Sequence, residues 1–228
     1  MRRERGFTLI ELMIAVALVA AISVGMLMAI RTSLITYQKT DDRLQSNRRV
    51  MSVEQILSRE LGGVMPVKGA CSSGGIVPVF NGNPQTLHLV SSYSISEGAR
   101  GYPRVLELQV LPADQGTVRL IVNEFLYTGP FSIAPFCAGG AFSPGLATPQ
   151  SFVLADRLAY CRISYQMRNQ ETLMGENWIP VWNQPNLPAA VRVDMEPLYP
   201  DPARLPLIPV TVPIHINRDV MVQYVDMP

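Results

Sequence analysis

Residues 6–30 read Gly6-Phe7-Thr8-Leu9-Ile10-Glu11-Leu12-Met13-Ile14-Ala15-Val16-Ala17-Leu18-Val19-Ala20, then Ala21-Ile22-Ser23-Val24-Gly25-Met26-Leu27-Met28-Ala29-Ile30. Glu11 is the single ionisable side chain in this run, and no proline interrupts it. At roughly 1.5 Å of rise per residue, a helix of this length crosses a hydrocarbon core of ~30 Å. The reading is a membrane span. A carboxylate near the start of a span is costly unless it is paired, and its default interpretation is functional. The plainer alternative is a side chain that only snorkels to the headgroups.

The leader Met1-Arg2-Arg3-Glu4-Arg5-Gly6 is basic, which keeps it on the cytoplasmic side and exports the chain beyond Ile30. A secretory signal peptide competes for the same residues, because small residues at Val19-Ala20-Ala21 mimic a cleavage site before Ile22. Two features oppose it. Glu11 sits in the first third of the apolar region, and that region continues past Ala21 instead of meeting a polar mature start.

The order Arg5-Gly6-Phe7-Thr8-Leu9-Ile10-Glu11 resembles the processing site of type IV prepilins and type II secretion pseudopilins. The resemblance implies cleavage after Gly6 by a prepilin peptidase, methylation of the new terminus Phe7, and Glu11 as the fifth-position glutamate used in assembly. The physical logic agrees with it. Cleavage brings an α-ammonium on Phe7 to the membrane edge, and a carboxylate one turn along a neighbouring helix would neutralise it.

The chain has 228 residues and a formal net charge of +1, with no concentration of Lys and Arg into a phosphate-binding face. Nucleic acid is therefore not expected as a partner. The length leaves one exported domain after the helix, large enough for an ordinary core. All nineteen prolines lie beyond Leu61, so that domain is read as loop-rich and β-leaning.

From Arg31 to Leu61 the sequence turns polar but keeps helical spacing. Val50, Val53, Leu57 and Leu61 form an apolar stripe that Leu34, Tyr37 and Leu44 prolong, while Asp41-Asp42, Arg48-Arg49, Glu54 and Arg59-Glu60 read as a solvated face. Gly62-Gly63 and then Pro66 stop the helix. A helix from about Thr8 to Leu61 would be roughly 80 Å long. Val64 to Pro84 and Gly129 to Pro149 read as glycine- and proline-rich loops. Alternation or β-rich composition predicts strands at Thr86–Val90, Val105–Val110, Thr117–Tyr127, Phe152–Met167, Trp178–Trp182, Ala189–Met195 and Leu207–Ile216, giving a half-buried antiparallel sheet.

The run Leu158-Ala159-Tyr160-Cys161-Arg162-Ile163-Ser164-Tyr165, then Trp178, then Leu187-Pro188-Ala189-Ala190-Val191-Arg192-Val193, is similar to the ordered pattern of GspJ-type minor pseudopilins and PilW-type minor pilins. Arg59-Glu60-Leu61 near the end of the helix also fits them. The stretch Pro197 to Pro213 and the cysteine loops depart from that pattern.

Three cysteines in an exported chain suggest one disulfide and one remaining thiol. Cys71 and Cys137 lie in glycine-rich loops and are the expected pair, with three reduced thiols as the other reading. Cys161 alternates within a strand, sharing a face with Ala159 and Ile163, and reads as a buried apolar residue. His88 and His215 are each flanked by apolar strand residues and belong to no metal-ligand or nucleophile spacing. No catalytic residue, metal or cofactor is expected.

The fold class expected is α+β and pilin-like: a long N-terminal helix with a membrane-spanning first half, packed on a C-terminal antiparallel β-sheet head. Residues 1–6 would be the leader, 7–30 the membrane and assembly helix, 31–61 its amphipathic continuation and 62–228 the head. By resemblance, the partners are other major and minor pilin or pseudopilin subunits, the prepilin peptidase and an inner-membrane assembly platform. The location implied is the bacterial inner membrane with a periplasmic head, then a pilus or pseudopilus, near whose tip J/W-type subunits help to start assembly. The alternative is an adhesin or substrate-binding module delivered on a pilin stem, with specificity in the 129–149 or 197–213 loops. A third reading is an anchored domain that never polymerises.

Overall fold

The computed structural model describes residues 8–71, 75–138, 141–142, 148, 151–168, 177–199, 206–216 and 218–220, with the backbone only at 42, 46, 49, 138, 141 and 142. The chain divides into two units, Met1–Arg48 and Arg49–Pro228. A single helix, α1 (Leu9–Gly62), runs through both. Proline is absent from it, and its apolar first half is rich in Ala, Leu and Met, which lose little side-chain freedom in a helix. It ends where Gly62-Gly63 was expected to end it, the Gly63 N–H donating to the Arg59 carbonyl at 2.9 Å.

The second unit is an antiparallel sheet with a layer on each side. Its elements in chain order are β1 (Val64–Met65), β2 (Lys68–Ala70), β3 (Ile76–Pro78), β4 (Asn81–Gly82), β5 (Thr86–Ser94), β6 (Ala99–Pro112), β7 (Val118–Leu126), β8 (Cys137–Ala138), β9 (Ala141–Phe142), β10 (Phe152–Gln166), β11 (Trp178–Ile179), β12 (Ala190–Pro197) and β13 (Val210–Pro213). The main sheet runs β1-β5-β6-β7-β10-β12-β13, with β4 on β5 and β11 on β10. The α+β pilin-like layout is therefore the one observed.

One face of the sheet carries Leu87, Leu89, Leu106, Leu108, Leu120 and Val122, and these pack with Val53, Leu57 and Leu61 of α1 in one core. The reason is periodicity: alternate strand residues share a face, and positions three and four apart share a helix face. The opposite face over β5 and β6 is not open. Val90 and Val105 pack there against Val79 and Ile133, so residues that alternation alone would put in water are buried. Ile133 belongs to a 3-10 helix, Pro130–Phe136, inside a segment read from the sequence as loop. Val64 to Pro84, also read as loop, contributes β1 to β4, pieces of two or three residues and too short to carry a period.

Two further readings change. In β10 the register shifts between Leu158 and Tyr160, and Ala159 falls in the shift. A bulge breaks the strict alternation, so Leu158 and Cys161 are both buried while Ala159 is exposed and does not share their face. Glu60, read as part of a solvated face, is 2% exposed. It stands three residues after Leu57 and seven after Val53, which puts it on the stripe that faces the sheet.

At the end of the sheet near β4, Gly82 and Trp182 exchange backbone hydrogen bonds of 3.0 and 2.8 Å. The Tyr165 hydroxyl donates to the Asn83 carbonyl at 3.2 Å, and the Trp182 indole N–H to the Asn186 carbonyl at 2.8 Å. A Cβ at residue 82 would run into the Tyr165 hydroxyl, so only glycine lets the chain pass there.

Candidate functional site

The first unit presents the candidate assembly element, the N-terminal half of α1. The N–H groups of Glu11 and Leu12 donate to the Thr8 carbonyl at 3.1 and 3.3 Å, starting the helix at Thr8. Glu11 lies in the first turn, where a negative charge is favoured by the exposed N–H groups of the helix end. Its Oε2 has the Thr8 hydroxyl at 3.5 Å, a weak contact that leaves the carboxylate able to take a stronger partner. Gly6 and Phe7, the expected cleavage junction and methylated terminus, lie outside the described residues.

Leu9, Leu12, Val16, Val19 and Leu27 are each more than half exposed. This one helix is long and apolar enough to cross a membrane. Its hydroxyl side chains are made compatible with apolar surroundings, because Ser23, Thr32, Thr36 and Thr40 each donate to the carbonyl four residues earlier at 2.8–2.9 Å. Glu11 has only the long contact from the Thr8 hydroxyl among the described residues.

In the second unit Cys71 and Cys137 are joined in a disulfide with a Cα–Cα distance of 5.5 Å. The bond ties the β2–β3 region to the end of the 3-10 helix, the two segments that cover the outer face of the sheet. Cys161 is a buried free thiol, and burial pushes it up to about 12, so it does not act as a nucleophile. His88 is buried, with Nε2 at 2.8 Å from Glu107 Oε1. Asn123 donates from Nδ2 to Glu107 Oε2 at 3.1 Å, and the Ser151 hydroxyl donates to Asn123 Oδ1 at 2.5 Å. His88, Glu107 and Asn123 are direct cross-strand neighbours on β5, β6 and β7, which makes a polar row across the sheet. Ser151 points its proton at an amide and not at an imidazole, so this is not a nucleophile with a base. His215 is exposed. Among the described residues no three His, Cys, Asp or Glu side chains are grouped to hold a metal ion.

Residues 1–27 match the prokaryotic N-terminal methylation motif. The chain is also 24% identical over 195 residues to type II secretion system protein J of Xanthomonas campestris pv. campestris, covering 85% of this chain and 87% of that protein. The chain thus carries a prepilin-type N-terminal motif and is similar to protein J along most of its length. The similarity to protein J runs through the pilin-like head as well as the stem, since 195 aligned residues cannot be supplied by the helix alone. The apolar helix and the motif fit single-pass anchoring in an inner membrane.

One group in this pilin-like chain escaped the sequence reading. Both carboxyl oxygens of Glu60 are buried without a hydrogen-bond partner. Burial pushes Glu60 up to about 7, opposed in part by the Ser91 hydroxyl and reinforced to a lesser degree by the charge of Glu124. The signal was present as the helical spacing of Val53, Leu57 and Glu60. Its charge made it look like a surface residue.

Proposed function

We propose that this pilin-like chain is a minor pseudopilin subunit of a type II secretion system. In this reading the leader is removed after Gly6, Phe7 becomes the methylated terminus, and the helix stays in the inner membrane with the head in the periplasm until the subunit joins its filament. Residues 7–30 are then the assembly segment, 31–61 its continuation and 62–228 the head. Glu11 pairs with the α-ammonium of a neighbouring subunit, and the subunit acts near the tip, where it helps filament growth to begin. Its work is assembly and not catalysis. The prepilin peptidase, the assembly platform and other pseudopilins are its partners.

The observation that carries this reading is a carboxylate in the first turn of an exposed apolar helix, five residues past a glycine that ends a basic leader. For an anchor alone, that carboxylate is a liability. The test is the mass of the mature protein. A terminus at Phe7 with one added methyl group is expected, and Gly6→Leu should leave the uncut precursor in the membrane. A terminus at Ile22 would overturn the reading in favour of a secretory signal.

A further inference from the structure

Assembly through the stem makes no use of the carboxyl group buried at the other end of α1. Glu60 is 2% exposed, and neither of its oxygens has a hydrogen bond. The groups that face it can be named element by element. On β5 the Ser91 hydroxyl, which accepts the Tyr93 N–H at 3.0 Å, favours the Glu60 carboxylate, but by less than burial opposes it. On β7 stands Glu124, a like charge that is itself 3% exposed. On β6 Arg104 reaches Glu124 at 3.5 Å from Nε and Glu97 at 2.6 Å from Nη2, the latter in the β5–β6 hairpin. On α1 itself Arg59 turns outward, donating to the Tyr93 hydroxyl at 2.9 Å. Arg59 and Arg104 thus make their hydrogen bonds and ion pairs with other groups, and Glu60 is in no ion pair among the described residues.

A carboxylate in that position would have no water and at most the Ser91 hydroxyl beside it, whereas the neutral acid avoids most of the desolvation penalty. We propose that Glu60 is a proton-operated latch: as the acid it lets Val53, Leu57 and Leu61 hold the last turns of α1 on the sheet, and its ionisation loosens them. The proton released goes to bulk water, and Glu124 opposes its loss. The closed form titrates at about 7, while a solvated Glu60 in the opened form has the ordinary value of 4.5. The closed form therefore keeps a proton that the opened form gives up. Opening becomes easier by up to about tenfold per pH unit as pH rises between those two values, and no easier above them.

The test is hydrogen exchange, read by mass spectrometry, on the full-length chain in detergent micelles. It follows peptides covering residues 50–63 from about pH 5 to about pH 8, with labelling times scaled to the chemical exchange rate. Protection in the parent should fall by about tenfold or more up to about pH 7 and then level off. Glu60→Gln should give a flat profile, with protection at about pH 8 at or above the parent's. Glu124→Gln should make the fall level off at lower pH, because it removes the opposing charge. A flat parent profile, or a parent-like slope in Glu60→Gln, overturns the proposal. If Glu60→Gln does not fold, Glu124→Gln decides, and an unchanged levelling point counts against the latch.

Discussion

Removing the imidazole of His88 would leave the Glu107 carboxylate without its partner at 2.8 Å in a site that is fully buried. Asn123 Nδ2 at 3.1 Å still donates to Glu107, so His88→Ala should cost about 1–3 kcal/mol, the penalty of one buried hydrogen bond lost. Replacing both members with Leu should cost less than that single change, because the buried carboxylate is gone and Asn123 keeps the Ser151 hydroxyl as a partner. Urea unfolding in detergent checks the order, and a double variant worse than the single one would show that the row contributes more than an average buried pair. Gly82→Ala belongs to the same scale: its methyl group meets the Tyr165 hydroxyl, which should cost about 1–3 kcal/mol through overpacking. Tyr165→Phe in the Gly82→Ala background should recover part of the loss, since it removes the atom that is struck. The sequence showed His88 as a histidine among apolar strand residues, which is how it sits. Its partner was not readable, because the pairing of 88 with 107 depends on a hairpin register set by all of β5 and β6. Glu60 was misread for the complementary reason, its charge outweighing its spacing.

At the scale of elements, α1 and the longer strands were legible because each holds one period over many residues. Leu87, Leu106 and Leu120 were placed on the core face by alternation, and Val53, Leu57 and Leu61 by helical spacing. The outer layer was not legible: β2, β3 and the 3-10 helix are short, and their burial depends on the sheet beneath them. That layer has little apolar area of its own and is held by a bond that closes a loop of sequence separation 66. Constraining the unfolded chain by such a loop stabilises by about 2–4 kcal/mol. Reductant, or Cys71→Ser with Cys137→Ser, should lower the melting temperature correspondingly, and exchange at residues 76–80 and 130–137 should rise first. A melting curve indifferent to reductant would mean that Val79 and Ile133 hold the layer unaided. Cys161 should stay unmodified by thiol reagents until the sheet opens, because it is buried and its thiol is held protonated.

At the scale of the whole molecule, the question is why a chain that could be anchored by any apolar helix keeps Glu11. A carboxylate in a span costs about 2.5 kcal/mol or more at the bilayer centre and less near its edge, so alanine would make a better anchor. Thr8 at 3.5 Å does not offset that cost, and among the described residues no other hydrogen bond to the carboxylate is present. The cost of the carboxylate was legible from Glu11 alone, and a partner on another subunit is what we propose offsets it. If that partner is the α-ammonium of a neighbouring subunit, the charge of Glu11 matters and its shape does not. Glu11→Ala should then insert, be cleaved after Gly6 and fold its head normally, yet fail to cross-link with other subunits or enter filaments. Glu11→Gln keeps the size and loses the charge, so it should be nearly as defective, whereas Glu11→Asp should retain part of the function if the shorter side chain still reaches. Cysteine cross-linking in the membrane, scored beside the mass of the mature terminus, separates failure to assemble from failure to be processed. Parent-like cross-linking by both Glu11→Ala and Glu11→Gln would remove the pairing role and leave Glu11 as a polar residue tolerated at the membrane edge.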